Sequence, residues 1–483
     1  MHFAAITRIL GILLMLFSLT HLPPLVLALL DQDSVWSSFS LALGVTLVTG
    51  LCIWYPVRRR REELRVRDGY LITALFWLVL ASFGAMPFYF SAEPQMDLFD
   101  SLFESFSGLS TTGATVLTGI DELPRAILYY RQQLQWLGGM GIVVLAVAIM
   151  PMLGVGGMQL YRTEMPGPIK DNKLSPRIAD TAKTLWLIYC GLTLLCALAY
   201  WLAGMNGFDA IGHSFATIAI GGFSTHDASI GHFDSLTIEL IAVAFMVLSG
   251  MNFGLHFLAL RNRSLKSYWR DAECRFYLKM LCALVVLTFA ALLLYQHYQS
   301  PETAARHALF QVVSVATTTG FGVTDFSAWP SFLPYLLLYT AFIGACAGST
   351  GGGMKVMRVM LLLRQGQREI LRLLHPSGVF TVKLGKRSVP DRVIEAVWGF
   401  SAVYMGAFFL LMLGLLACDL DPVTAFSTLA SCMNNLGPAL GDATFHYASL
   451  PESAKLILSF AMVLGRLEVF SLLILFTPAF WRY

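Results

Sequence analysis

Ser107-Gly-Leu-Ser-Thr-Thr-Gly113 ends an amphipathic run of about half a membrane's length, and a long apolar segment follows it. The theme recurs at Ala216-Thr-Ile-Ala-Ile-Gly-Gly222, Ser314-Val-Ala-Thr-Thr-Thr-Gly320 and Ser431-Cys-Met-Asn-Asn-Leu-Gly437. In each turn a small residue stands six positions before the glycine, and the glycines fall about 100 to 117 residues apart. That interval holds two spans and one re-entrant loop. Irregular backbone is tolerated at membrane depth only where it is buried in protein or lines water. Loops that aim backbone carbonyls at an axis are how ion filters are built. Four copies of one motif are hard to obtain by chance, so the sequence predicts one cation-conducting pore with four-fold pseudosymmetry. An ordinary surface loop is the alternative for any one turn taken alone.

Working outward, the chain is 56% hydrophobic and 13% charged, against roughly 25% charged in soluble domains. A span needs about 20 apolar residues, and ten such stretches are marked near 5–30, 36–56, 70–90, 127–153, 184–204, 236–260, 276–296, 332–354, 393–418 and 456–478. No separate soluble domain fits in the remainder. The expected fold is an all-α polytopic membrane protein. Residues 1–68 form an N-terminal helical hairpin and connector, and four pore repeats follow at 69–160, 161–270, 271–392 and 393–483.

Basic residues divide the loops into two sides. Segments 57–68, 161–183, 261–279 and 355–392 with both chain ends carry 28 of the 33 Lys and Arg. The opposite loops carry Arg125, Arg131, Arg306 and Lys455 against 18 acids. Lys and Arg stay cytoplasmic, which predicts cytoplasmic termini and turns that open outward. An acidic outer face concentrates cations, although most of those acids serve equally well to solubilise loops. The Arg58–Arg61 run reads as a topology signal beside anionic lipid. Eight cysteines lie mostly in apolar spans, without metal-type spacing, and read as small buried residues. The first 30 residues lack a small-x-small cleavage site and read as a retained anchor.

The half-helices are expected at Asp97–Gly108, Gly207–Thr217, Pro301–Val315 and Asp421–Cys432, with Asp97, Asp209 and Asp421 as caps. About 12 residues cover roughly 18 Å, enough to reach mid-membrane. Entering from outside, each points the negative end of its dipole inward, which favours a desolvated cation and repels anions. Gly113, Gly222, Gly320 and Gly437 supply the backbone freedom for inward carbonyls. The carbonyls come from Thr111 and Thr112, Ile220 and Gly221, Thr318 and Thr319, and Asn435 and Leu436. The hydroxyls of Thr111, Thr112, Thr318 and Thr319 are candidate extra ligands. No carboxylate ring stands at the turns, so K⁺ suits the site better than calcium.

With these loops, the strings FESFSGLSTTGAT, GHSFATIAIGGFSTHD, CAGSTGGGMKV and GRLEVFSLLILFTP give the whole chain a close resemblance to the Trk/Ktr/HKT superfamily of cation transporters. Within it, the likeness is to the membrane subunit of bacterial Trk-type potassium uptake systems. The resemblance implies K⁺ bound in the filter as the transported ion, an inner-membrane location, a homodimer and a cytosolic ring of nucleotide-binding regulatory subunits. It also implies K⁺ preference from a glycine in all four turns, and Gly113 is present where plant relatives with weaker preference carry serine.

Gly344-Ala-Cys-Ala-Gly-Ser-Thr-Gly-Gly-Gly353 interrupts the span after the third turn. Each glycine costs about 0.8–1.0 kcal/mol against alanine inside a helix, so the run reads as a flexible plug beneath the filter. Close helix packing is the alternative. Walker-type nucleotide binding is disfavoured, because Lys355 follows Met354 rather than a glycine. The resemblance implies an obstructing intramembrane loop here, so Gly344, Gly348, Gly351, Gly352, Gly353 and Lys355 are candidate gate residues. Arg466 joins them as a deep charge in the last span, where Glu468 at i+2 faces elsewhere; the alternative is a structural salt bridge to another helix. His213, His226, His232, His256 and His307 show no metal-ligand spacing and read as packing or solvent-exposed groups. The basic stretch 364–392 reads as lipid contact, or by resemblance as the docking surface for regulatory subunits.

The leading expectation is gated K⁺ uptake, driven by about 2.3 kcal/mol per charge per 100 mV. The alternative is proton- or sodium-coupled symport, for which Glu468 is the one acid deep in a span. No His/Asp/Ser constellation or HExxH motif supports a membrane enzyme.

Overall fold

The computed structural model describes residues 1–60, 66–144, 177–330, 332–385 and 387–482. Its architecture is helical throughout, apart from a short hairpin pairing Lys383–Leu384 with Arg387–Ser388. Among the described residues, six helices are long and apolar enough to cross a membrane: Phe3–Asp31, Trp36–Val57, Arg67–Tyr89, Lys183–Leu202, Ala272–Leu294 and Asp391–Leu416. Their outer faces carry exposed apolar side chains such as Leu30, Leu202, Leu294 and Leu413. An apolar exterior of that extent fits lipid rather than water.

Two of the ten marked stretches are bent helix pairs, and a third ends early where the glycine run begins. The stretch 236–260 is two helices, Leu236–Ser249 and Phe253–Asn262, bent by 93°. Asn252 causes the restart, since its side chain accepts the Gly254 N–H at 2.7 Å and caps the second helix. The stretch 456–478 bends by 108° between Glu452–Arg466 and Phe470–Phe476, where Glu468 and Val469 adopt left-handed backbone angles. The stretch 332–354 stops being helical at Ile343. The helix Arg125–Val144 covers part of the stretch 127–153, whose remainder lies outside the described residues.

The four half-helices are Leu98–Leu109, Gly207–Ala219, Pro301–Ala316 and Pro422–Met433. Asp97 and Asp421 cap the first and fourth as expected. The second is capped by Asn206, not by Asp209. Asn206 accepts the Asp209 N–H at 2.8 Å, and its amide donates to the Asp209 carboxylate at 2.7 Å, a reciprocal arrangement that satisfies both. Ser300 caps the third.

Buried clusters join sequence neighbours and also the two ends of the chain. Leu14, Phe39, Trp77, Phe103 and Tyr130 share one cluster with Leu429, Leu458 and Met462. Ile218 and Ala216 pack with Phe310 and Phe321, and Val312 and Val315 pack with Leu436 and Leu440. In the N-terminal hairpin the first helix crosses Trp36–Trp54 closely, because a methyl group on Gly11 would lie 2.8 Å from the Trp54 Cβ.

Candidate functional site

Each half-helix ends in the same capped turn. The N–H of the residue before the glycine reaches the carbonyl of the small residue five back. These bonds are Thr112 to Ser107 (2.9 Å), Gly221 to Ala216 (2.8 Å), Thr319 to Ser314 (2.8 Å) and Leu436 to Ser431 (2.9 Å). A second bond runs one step inside: Thr111 to Gly108, Ile220 to Thr217, Thr318 to Val315 and Asn435 to Cys432. Together they satisfy the orphan carbonyls of the helix end.

Such a turn requires a left-handed residue, usually glycine. Here the position holds Thr111 (φ 55°), Ile220 (55°), Thr318 (67°) and Asn435 (54°). Left-handed β-branched residues are genuine outliers, costing on the order of 1–3 kcal/mol each. Three of four turns carry one. The glycines two residues later are left-handed as well, at φ 81°, 80°, 85° and 100°.

The four turns meet in a closed circle. A methyl group on Gly113 would lie 2.0 Å from the Gly221 carbonyl oxygen. The corresponding approaches are Gly222 to the Thr319 oxygen (2.1 Å), Gly320 to the Leu436 oxygen (2.1 Å) and Gly437 to the Thr112 oxygen (2.8 Å). Every filter candidate therefore sits within one continuous ring of backbone, and no side chain larger than hydrogen fits between adjacent turns.

The threonine hydroxyls were expected as extra ligands, and most are committed elsewhere. Thr112 Oγ1 bonds Ser110 and receives the Asn435 amide, tying the fourth turn to the first. Thr319 Oγ1 bonds Thr317, and Thr318 Oγ1 accepts the Gly352 N–H at 2.7 Å. Thr111 Oγ1 alone has no partner among the described residues.

Several tying residues escaped the sequence reading. Gln135 donates to the Gly221 carbonyl at 2.6 Å and accepts the Phe223 N–H at 3.0 Å. Arg131 and Glu104 form a fully buried ion pair at 2.7 Å, and Arg131 also donates to the Ser224 carbonyl at 3.1 Å. Tyr447 donates to the Gly437 carbonyl at 2.7 Å, and its N–H reaches the Thr115 carbonyl. A readable signal existed for the first two: Arg131, Gln132, Gln133 and Gln135 crowd polar groups into an otherwise apolar span.

The glycine-rich segment lies against three of these turns. Thr350 Oγ1 donates to the Ile218 carbonyl at 3.0 Å, and a methyl group on Gly352 would lie 1.9 Å from the Asn434 carbonyl oxygen. With the Gly352 to Thr318 bond, the segment touches the second, third and fourth turns. Gly344, Gly348 and Gly353 take left-handed angles. A methyl group on Gly351 would lie 2.7 Å from the Ala345 Cβ. Lys355, itself left-handed, donates to the Gly351 carbonyl. Glu273, missed in the sequence, accepts the Ala347 and Met357 N–H groups at 2.7 and 3.1 Å. The break at Asn252 makes room, since the Phe253 N–H reaches the Gly348 carbonyl.

Arg466 ends its helix and donates to the Thr350 carbonyl at 3.0 Å. Its Nε and Nη2 have no hydrogen-bond partner, and it forms no salt bridge among the described residues. Glu468 pairs instead with Arg358 at 2.7 Å.

Among the histidines, His213 is buried with its ring bonded to the Asp209 carbonyl and Ser224, and His256 bonds Tyr268 and the Leu248 carbonyl. His226 and His232, without ligand spacing in the sequence, are brought together by the fold. The fold stacks their rings at 3.5 Å and brings Asp121 alongside from a loop about 100 residues away. Burial works against the Asp121 charge, but the His226 ring and the Asp227 N–H outweigh it and hold the carboxyl below its ordinary range.

The sequence pattern of the cation transport protein family TrkH matches residues 37–483. The chain is 60% identical over 477 residues to the Trk system potassium uptake protein TrkH of Halomonas elongata, covering 99% of each. It is 57% identical over 482 residues to the protein of that name from Escherichia coli K12, covering 100% of each. The crystal structure of the potassium transporter TrkH from Vibrio parahaemolyticus superposes with a TM-score of 0.93 at 52% identity, over 100% of both chains.

Proposed function

This chain belongs to the TrkH family of cation transport proteins, and on that premise we propose that it takes up K⁺ through a gated, channel-like pore. Four repeats, bounded as 69–160, 161–270, 271–392 and 393–483, surround one axis. The carbonyls of Thr111 and Thr112, Ile220 and Gly221, Thr318 and Thr319, and Asn435 and Leu436 replace the ion's water there. Gly113, Gly222, Gly320 and Gly437 keep the circle narrow. The observation that carries this reading is the closed set of backbone approaches, in which each turn's glycine meets the next turn's carbonyl. Half-helix C-termini aimed at that circle add negative potential. No hydrolysis is needed, because the membrane potential supplies about 2.3 kcal/mol per charge per 100 mV. Proton- or sodium-coupled symport gains nothing from Glu468, whose carboxylate is engaged by Arg358.

Gly344 to Gly353 is the gate, and Arg466 is its latch. One edge of the guanidinium holds the Thr350 carbonyl, while its charge, unmatched by a nearby carboxylate among the described residues, opposes a cation below the filter. A hydrogen bond to a charged group contributes about 1.5–3 kcal/mol. Arg466→Ala is therefore expected to raise rubidium uptake by purified protein in liposomes by roughly tenfold. Unchanged uptake at normal expression would assign Arg466 a structural role instead. Rubidium uptake with and without sodium competition tests the K⁺ assignment itself, and reversal potentials that shift with pH or sodium would restore coupling.

The bacterial inner membrane is the proposed location, with both termini cytoplasmic. The homodimer and the nucleotide-binding regulatory ring complete the proposal. The helix Val356–Leu374 supports a docking role, since it presents Arg364 and Arg372 beside exposed Ile370, Leu373 and Leu374.

A further inference from the structure

We propose that Asp121, His226 and His232 form a binding site for a divalent transition-metal ion of the zinc class at the outer mouth, and that its occupancy slows potassium entry. Asp121 lies on the short helix Ile120–Glu122 after the first filter turn. His226 and His232 lie on the connection after the second, with His232 on the short helix Ser229–Phe233. The ligand atoms all lie within 4.8 Å of one another. Asp121 and His232 are exposed and His226 is half-buried, so an ion from outside reaches them.

Two imidazoles and a carboxylate are the donor set that zinc uses with an open fourth position, at about 2.0–2.2 Å per ligand. The parallel rings make no hydrogen bond to each other, and a small splay about their side-chain torsions turns both nitrogens to one ion. Asp209 stands behind His226 at 3.3 Å from Nε2. That contact fixes the ring and leaves Nδ1 toward Asp121, the carboxylate support found behind metal-binding histidines. Asp121 is fixed in turn by the Asp227 N–H at 3.2 Å. His232 makes no hydrogen bond among the described residues and is held by stacking on His226, which leaves its ring nitrogens free for an ion.

The consequence for transport follows from chain length. His226 lies four positions after Gly222, so their backbones lie at most about 14 Å apart. A dication there replaces part of an attractive acidic mouth with repulsion, worth about threefold in entry rate at low ionic strength. The effect shrinks as salt shortens the screening length. This consequence rests on the filter reading above, whereas the binding does not.

Zinc chloride titrated calorimetrically into the purified full-length chain is expected to show one saturable site. His232→Ala, and separately Asp121→Asn, which keeps an acceptor for Asp227, are each expected to weaken binding at least about tenfold. External zinc is expected to slow rubidium uptake into liposomes about threefold, with the inhibition curve shifting in parallel in both variants. His232→Cys keeps a ligand and is expected to move preference toward cadmium. Absence of saturable binding to the wild type, or undiminished binding to His232→Ala, overturns the site. Binding without slower uptake overturns its effect on entry and leaves the potassium reading untouched.

Discussion

Gly113→Ser is expected to reduce rubidium uptake at least tenfold and to let sodium compete for what remains. Two penalties act together. The residue's φ of 81° is left-handed, which costs an L-amino acid about 1–2 kcal/mol. Its new Cβ would stand 2.0 Å from the Gly221 carbonyl oxygen, and that oxygen is held by Gln135 at 2.6 Å. The carbonyl cannot yield without breaking the Gln135 contact, so the circle opens and the oxygens no longer match a bare potassium ion. Gly119→Ala is the control, because Gly119 shares the left-handed angle (φ 64°) but a methyl group there meets nothing within 4 Å. It is expected to pay the strain and keep its selectivity. Liposome uptake with sodium competition separates the two, and an unaltered Gly113→Ser protein would remove the first turn from the ion's path.

Arg131→Met is expected to destabilise the protein by about 3–5 kcal/mol, the usual consequence of leaving one member of a buried ion pair alone. The pair is fully enclosed, with Glu104 at 0% and Arg131 at 1% side-chain exposure. Glu104 also accepts the Val116 N–H at 3.0 Å and both contacts from Thr115. The guanidinium lies 4.2 Å over Phe223. The double variant Glu104→Leu/Arg131→Met removes both charges and is expected to recover much of the thermal stability. Uptake is expected to stay low, because the bond from Arg131 to the Ser224 carbonyl, which joins the first two turns, is still missing. Melting followed by size exclusion, with uptake measured in parallel, resolves these outcomes. Full activity in the double variant would reduce the pair to a packing element.

The turns were legible because their signal is local. Each turn is one contiguous stretch that ends a half-helix and closes on a left-handed glycine, so Gly113 marks its turn whatever its distant neighbours are. The helix break at the glycine-rich segment was legible for the same reason, since consecutive glycines oppose a helix wherever they stand. The breaks after Ser249 and Arg466 were not, because hydropathy averaged over a span's length stays high despite Asn252, Arg466 and Glu468. Only the side chain of Asn252 and the left-handed backbone of Glu468 and Val469 interrupt the helices, and hydropathy does not register either. Asn206 was passed over for Asp209, although asparagine caps equally well. The ties from Gln135, Arg131 and Tyr447 link residues far apart in sequence, and spacing carries no record of such partners. The same limit hid the grouping of Asp121 with His226.

The circle of turns has a seam. It closes where the Asn435 amide reaches the Thr112 hydroxyl, between residues 323 positions apart in the chain. Chains emerge from the ribosome at about 5–20 residues per second, so the first turn waits tens of seconds for its last neighbour. Throughout that wait, the strained Thr111 and the buried polar groups around it stand beside an incomplete wall. A nascent chain halted before residue 430 lacks the fourth turn and its Asn435 tie, so the circle has three sides and no closure.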